Sequence, residues 1–374
     1  MPDYCNGSWV EIDTAQIRAN ARAIRDALPV STDVIAVVKS DAYGHSLAPF
    51  AAALREGGVR SFAVAYPAEA ATVRAAVPDA RLIVVLGAVW PDDVPALLEN
   101  RVTPVVVSLD QARALSDAAL ALGARLPVHV KLDTGMGRLG FIVPRDLPDA
   151  LAAAALPGLD PQGVCTHFAI VEPQRIPAAA PAQVARFKAA ADALDAALSR
   201  RLFRHISSSR ATLLMPECDC DAIRAGIVLY GYGACDPRGR FVTRPVLQWK
   251  SRVMQVKSVP AGFPTGYYGA YVTEEPTDLA VVSCGYTDGY LRLLGNTGHV
   301  LVGGKRRPVV GRVSMNWITI DLGPDSGVQP GDEVVLLGTQ GAESVWADEL
   351  AHHCHTIPYE ILTDISRQIE RRYI

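Results

Sequence analysis

Between residues 34 and 224 the chain alternates short apolar runs with longer segments rich in Ala, Leu and Arg at helical spacing. The runs are Val34–Val38, Phe62–Ala65, Leu82–Leu86, Pro104–Val107, Val128–Leu132, Gly163–Thr166, Phe203–Ser207 and Ala222–Arg224, eight in all. Leu109–Leu122 and Gln183–Arg200 are examples of the intervening helical segments. Runs that stay apolar on both strand faces read as strands of a parallel sheet. Repetition of the βα unit gives such a sheet, and eight units close it into a (β/α)8 TIM barrel. In that architecture the chemistry sits at the carboxyl ends of the strands. Lys39, Lys131, His167, Ser207–Ser209 and Arg224 all fall at or just past such an end.

The flanks read differently. Trp9–Ile12 is a short strand, and Asp13 or Thr14 caps a helix carrying Ile17, Ile24 and Leu28. Beyond about residue 238, Val-, Tyr- and Thr-rich runs alternate with Gly/Pro turns: Val253–Val259, Leu279–Ser283, His299–Val302, Pro308–Val313 and Glu333–Leu337. This is the texture of a β domain. A boundary near Asp236–Arg240 assigns residues 1–238 to the barrel, with the first short strand free to join the β domain. Residues 239–374 form the mostly β C-terminal domain, with one helix over Ala347–His352 ahead of Ile357–Ile361.

Charge excludes several roles. The net charge is −3, and Lys305-Arg306-Arg307 is a short cluster between glycine and proline that reads as a solvated hairpin tip. Neither nucleic acid nor a membrane surface is an expected partner. The first residues show no basic region followed by an apolar run, so no signal peptide is expected. No stretch approaches the ~18 apolar residues of a membrane span. Seven scattered cysteines fit free thiols in a reducing cytoplasm. Cys218-Asp-Cys220 and His352-His-Cys-His355 lack the spacing of paired zinc ligands, so no metal is expected.

The lysine strand is the most informative site element. Five apolar residues lead into Lys39, and Ser-Asp-Ala-Tyr-Gly turn chemistry follows. A snorkelling lysine at a strand end is the ordinary alternative. An amine desolvated there is also a nucleophile suited to a Schiff base, with Tyr43 one turn away to bind an anion. A second string, Lys131-Leu-Asp-Thr-Gly-Met-Gly-Arg-Leu-Gly140, places glycines where backbone must approach closely and offers Arg138 as a forked cation for a carboxylate or a phenolate. Further strings are His205-Ile-Ser-Ser-Ser-Arg-Ala-Thr212, Ile223-Arg-Ala-Gly-Ile-Val-Leu-Tyr-Gly231 and, in the β region, Gly266–Tyr271, Cys284–Tyr290, Gly311–Asn316 and Thr356–Leu362.

Taken in order, these strings resemble the alanine racemase family of pyridoxal 5′-phosphate enzymes over nearly the whole chain. The resemblance implies that Lys39 carries the cofactor and serves as the base on one face of the α-carbon. It implies that Tyr267, supplied by the partner subunit, is the base on the other face, with Tyr268 as the rival because the doubled tyrosine departs from the family's Tyr-Gly. A free phenol titrates near ~10, and His167, between Arg224 and the tyrosine, suits the role of its partner. Arg138 would hold the substrate carboxylate, steered by Lys131, which matches a lysine carbamylated in many members. Arg224 would face the pyridine nitrogen. Guanidinium has no acceptor and stays protonated, so that nitrogen remains unprotonated and a weaker electron sink, as racemisation requires and decarboxylation does not. Tyr43, Ser209 and Tyr359, with the Gly226 and Ile227 N–H groups, would take the phosphate. Tyr286 and Met315 would line the substrate side, and Glu172 stands where the entrance usually carries aspartate. Ser208 replaces an asparagine, Ser46 a glycine and Asn316 an aspartate. The implied protein is a cytoplasmic homodimer with shared active sites that interconverts L- and D-alanine for peptidoglycan. A serine or broad-specificity racemase on the same scaffold is the alternative, and a non-catalytic pyridoxal phosphate carrier a remote one. Tyr271 and Tyr290 read as packing.

Overall fold

The computed structural model describes residues 7–169, 176–233 and 239–374. The chain divides into two units. One comprises Ile17–Ala42 and Leu47–Arg244, the other Met1–Gln16, Tyr43–Ser46 and Pro245–Ile374.

Eight parallel strands form the ring of the first unit's sheet: β2 (Asp33–Val37), β3 (Ser61–Val64), β4 (Leu82–Val85), β5 (Thr103–Val106), β6 (Leu126–Asp133), β7 (Leu159–Cys165), β8 (Phe203–Ser208) and β9 (Ala222–Ala225), with Phe141–Ile142 paired outside it on β6. They run β5-β4-β3-β2-β9-β8-β7-β6, and a β5–β6 pairing closes the ring. This is the eight-stranded TIM barrel expected from the alternation. Helices intervene between the strands, among them Leu109–Ala121 and Ile176–Leu198. Ser108 caps the former by accepting from the Gln111 N–H at 3.2 Å. The strands pack both faces because Val, Ile, Ala and Phe occupy them almost continuously: Ile35, Phe62, Ile83, Val84, Val105 and Val130 are buried.

The second unit is an antiparallel β structure with β1 (Trp9–Ile12) as an added strand. Its other main strands are β10 (Leu247–Val259), β11 (Thr277–Val282), β12 (His299–Val302), β13 (Lys305–Val310), β14 (Ile318–Asp321), β15 (Glu333–Gln340), β16 (Glu343–Val345) and β17 (Glu370–Tyr373), beside a small ribbon of Pro264–Thr265 and Tyr271–Val272. The long strand β10 pairs with β11 and again with β15, so β10, β11, β14, β13, β12 and β15 make a closed ring. Strand β1 lies antiparallel to β10 and parallel to β17. Two helices complete the unit, α1 (Ala347–His353) and α2 (Pro358–Asp364).

Several local expectations need correction. Lys305-Arg306-Arg307 is not wholly a solvated tip, since all three residues belong to β13, paired with β12 across a Gly303-Gly304 turn. Arg306 is half-buried there and ion-paired to Glu349. Residues 357–361 open a helix, with Pro358 in its first position, where proline's missing N–H costs nothing. The expected boundary at Asp236 lies outside the described residues. Among the described residues no helix is long and apolar enough to cross a membrane.

Candidate active site

Lys39 follows β2 at its carboxyl end. Burial, then the nearby Arg138 charge, lowers its pKa, opposed by Glu69. The turn after it has an unusual backbone. Ser40, Asp41, Ala42 and Tyr43 all have φ between 51 and 56°, a left-handed turn built without glycine. Such a conformation costs about 1–2 kcal/mol per residue and is rarely sustained. Glu69 supports it by accepting from the Ser40 N–H at 2.6 Å and from the Ala65 N–H at 2.9 Å. Asp41 accepts from the Leu47 N–H at 2.7 Å. Ser46 also sits at positive φ, 60°.

The Arg138 loop is organised by one carboxylate. Asp133 accepts from the N–H groups of Gly135, Met136 and Arg138 at 2.8, 2.8 and 3.0 Å, and these bonds hold its pKa down against the opposing effect of burial. Gly135 at φ 134° and Gly137 at φ 70° supply the turns. The Arg138 side chain is thereby carried on a fixed backbone but remains exposed. Gly140 lets this loop return over β6, because a Cβ there would stand 2.6 Å from the Lys131 carbonyl oxygen. Lys131 itself is pushed down to about 8, chiefly by burial, with Arg224 and Arg138 adding to the effect.

Arg224, on β9, is buried. Its Nη1 donates to the His205 carbonyl at 2.6 Å and to His205 Nδ1 at 2.9 Å. Its Nη2 donates to the carbonyls of Thr166 and Ile206 at 2.7 and 3.1 Å and to His167 Nδ1 at 3.1 Å. Guanidinium can only donate, so both Nδ1 atoms must be bare lone pairs and both rings carry their proton on Nε2. His205 then donates through Nε2 to His129 Nδ1, 2.9 Å away. The direction of the whole chain follows from one arginine: Arg224 to His205 to His129, and Arg224 to His167. Burial, followed by the Arg224 charge, keeps the imidazoles neutral. It lowers His167 to about 3 and His129 to about 4, and holds His205 well below its usual value. Among the described residues Nε–H is the Arg224 donor without a partner, and so it is the one offered to an acceptor from outside.

The three serines separate into roles. Ser207 Oγ donates to the Cys218 carbonyl at 3.0 Å and is structural. Ser208 precedes the short helix Ser209–Leu214. Ser209 Oγ accepts the Gly226 N–H at 2.8 Å, which leaves its own proton to donate outward. Ile227 opens a short 3-10 turn, where its N–H has no partner within the turn.

In the β unit, Tyr43 and Tyr359 pair with ring centroids 5.5 Å apart, and burial raises Tyr43 well above the ordinary phenol range. Tyr267 and Tyr268 are 64% and 92% exposed. Tyr268 sits at φ 65° with the Arg312 guanidinium 5.6 Å from its ring, whereas Tyr267 has ordinary backbone. Tyr286 and Met315 come from adjoining loops. The Tyr286 N–H donates to the Ser314 carbonyl at 3.0 Å, and Gly285 approaches so closely that a Cβ would meet the Met315 oxygen at 2.3 Å. Asn316 Nδ2 donates to Thr287 Oγ1 at 3.1 Å. Glu172 lies outside the described residues. Tyr271 donates to Asp321 at 2.8 Å and packs on Val259, Leu279 and Val310, while Tyr290 is buried beside Trp249.

Sequence reasoning missed His129 and Glu69. The signal for His129 was a histidine inside an otherwise apolar strand, and for Glu69 an acid three residues into a helix that opens with proline.

A closed (β/α)8 barrel that gathers a lysine, an arginine and imidazoles at or near the carboxyl ends of its strands has the architecture of a barrel enzyme. The family model described as "Alanine racemase, N-terminal domain" matches residues 12–234, and "Alanine racemase, C-terminal domain" matches residues 246–373. An alanine racemase of Syntrophobacter fumaroxidans is 43% identical over 362 residues, covering 96% of each chain. The solved alanine racemase of Streptomyces coelicolor A3(2) superimposes with a TM-score of 0.91 at 34% identity, covering 100% of both chains. That of Bartonella henselae, solved with covalently bound pyridoxal phosphate, gives 0.86 at 28% identity over 98% of this chain and 99% of its own. The chain belongs to the alanine racemase family, a family of isomerases.

Proposed function

We propose that the chain interconverts L-alanine and D-alanine with pyridoxal 5′-phosphate. The observation that carries the cofactor is the Arg224 chain. A buried guanidinium with both Nη atoms engaged and its Nε–H left over matches an unprotonated pyridine nitrogen. The lowered pKa of Lys39 and the outward hydroxyl of Ser209 fit the same group. When bound, pyridoxal phosphate supplies a carbonyl for the amino group and a ring that takes up charge from the α-carbon. Lys39 holds the cofactor and moves the α-proton on one face. The Tyr267 phenol, contributed across a homodimer, moves it on the other, and its ordinary backbone favours it over Tyr268. His167 presents Nε2–H, the only proton its tautomer leaves, as the contact for a phenolic oxygen. Arg138 binds the substrate carboxylate, with Lys131 behind it. Tyr43, Ser209, Tyr359 and the Ile227 N–H bind phosphate. The Gly226 N–H acts through Ser209. Tyr286 and Met315 border the substrate, and Glu172 the entrance.

The described cysteines, all free, support a reducing cytoplasm, where D-alanine would feed peptidoglycan synthesis. One observation favours a second reading. Asn316, a neutral amide where the resemblance implies an acid, bonds Thr287 and suits a polar side chain such as serine's.

Racemisation assays on a panel of L-amino acids, with a visible absorbance spectrum, test the proposal. Alanine should be preferred, and equal kcat/KM for serine would establish the second reading. Lys39→Ala should lose the visible cofactor band and turnover together. Tyr267→Phe should keep the band and lose proton removal from one enantiomer, and full turnover in both variants would reject the two-base assignment.

A further inference from the structure

Within the β unit three ligand-type side chains converge. His299 opens β12, and Glu349 and His353 stand four residues apart on α1, hence on one face of that helix. One ligand atom from each lies within 4.8 Å of the others. His299 Nδ1 is buried with no hydrogen-bond partner, an arrangement native proteins avoid unless something else occupies the lone pair or proton. Glu349 is held through Oε1 by Arg306, itself anchored on the Ser344 carbonyl, and its other oxygen is left to a ligand. A ligating carboxylate is commonly fixed in this way by an outer hydrogen bond.

Two imidazoles and a carboxylate are the donor set of an open zinc site, with a fourth position for water. The set is too rich in nitrogen for magnesium or calcium, which take oxygen. We propose that His299, Glu349 and His353 bind a divalent first-row cation, with Zn2+ the best match, tying strand β12 to helix α1. The Arg306 charge opposes the cation, so the site is weaker than a closed four-ligand one. It is independent of the racemase reading and uses none of the residues assigned to it.

The rival is the neighbouring His352-His353-Cys354-His355 run, which shares only His353. Equilibrium dialysis of the untagged holoenzyme against Zn2+ should find one ion per chain. Substituted Co2+ should give a spectrum without a thiolate-to-cobalt band. His299→Ala and Glu349→Gln should each weaken binding at least tenfold, while a His352→Ala/His355→Ala variant retains it. Zn2+ should raise the thermal midpoint of the native protein and leave that of His299→Ala unchanged. Circular dichroism checks that each variant is folded, and should His299→Ala fail, Glu349→Gln on the helix surface decides. Absence of bound ion, a thiolate band, or undiminished binding in Glu349→Gln would overturn the site.

Discussion

At the scale of single residues the barrel rim depends on Arg224. Its guanidinium satisfies three carbonyls and two imidazoles at once, and a planar fork is needed to reach them. Arg224→Lys keeps the charge and loses the fork, so several buried acceptors lose their donor at about 1–3 kcal/mol each before relaxation. The expected outcome is a stability loss of at least ~2 kcal/mol in urea, with kcat falling more than KM changes. Retained stability with unchanged kcat would show that the fork is dispensable. Gly163 sets the other end of the chain. A Cβ there would stand 2.6 Å from His129 Nε2 and 2.8 Å from the Phe203 carbonyl, and the latter is backbone that cannot swing aside. Gly163→Ala should therefore cost ~1–3 kcal/mol, and a neutral result in denaturant titration would mean that β7 and β8 slide apart freely.

At the scale of elements, the left-handed turn after Lys39 is strained and needs an outside prop. Four residues at about 1–2 kcal/mol each are held by Glu69, which serves Ser40, Ala65 and Tyr66 N–H groups together. Glu69→Ala leaves those donors to water and should lower stability by ~1–3 kcal/mol. It should also speed cofactor loss, read as decay of visible absorbance on dialysis, and an unchanged decay rate would show that the turn holds itself. This turn also marks where sequence reading ran out. Ser-Asp-Ala-Tyr-Gly announces a turn, but only its last residue, Gly44 at φ 80°, announces left-handedness, and the four before it are supported by a carboxylate 29 residues from Ser40. The barrel strands were legible because the first of them are nearly unbroken apolar runs and the later ones keep a short apolar stretch between helical segments. β14, β16 and β17 were not. Glu370–Tyr373 is an edge strand of charged residues whose stems cover apolar neighbours, with the Arg372 guanidinium 5.1 Å from the Trp9 ring. The placement of Lys39, His167 and Arg224 at or near strand ends could be read from the sequence, whereas the tautomers and the His129 link required the fold, since strands distant in sequence bring them together.

At the scale of the whole molecule, burying three imidazoles as neutral groups couples stability to pH. His129, His167 and His205 lie below the ordinary 6.5, at about 4, about 3 and well depressed. Their folded pKa values are lowered, and these groups are bases. Between the folded and unfolded values the unfolded chain binds protons that the folded chain refuses, so stability is full above about 6.5 and falls as pH drops below it. Each group contributes a slope of up to ~1.4 kcal/mol per pH unit. The carboxylates act elsewhere: Asp133 and Asp160 are depressed, and their contribution is lost only below the usual aspartate range. A urea series from pH 7 to pH 4, below the range in which Lys131 at about 8 adds its own slope, should thus show a decline beginning near ~6.5, well before carboxylate protonation. His129→Asn, whose amide oxygen can still accept from His205, should remove one group's share of that slope and leave its onset in place. A flat profile down to pH 5 would mean that the imidazoles pick up protons in the folded barrel, and the Arg224 contacts to the two Nδ1 atoms would then have to break, since guanidinium cannot accept.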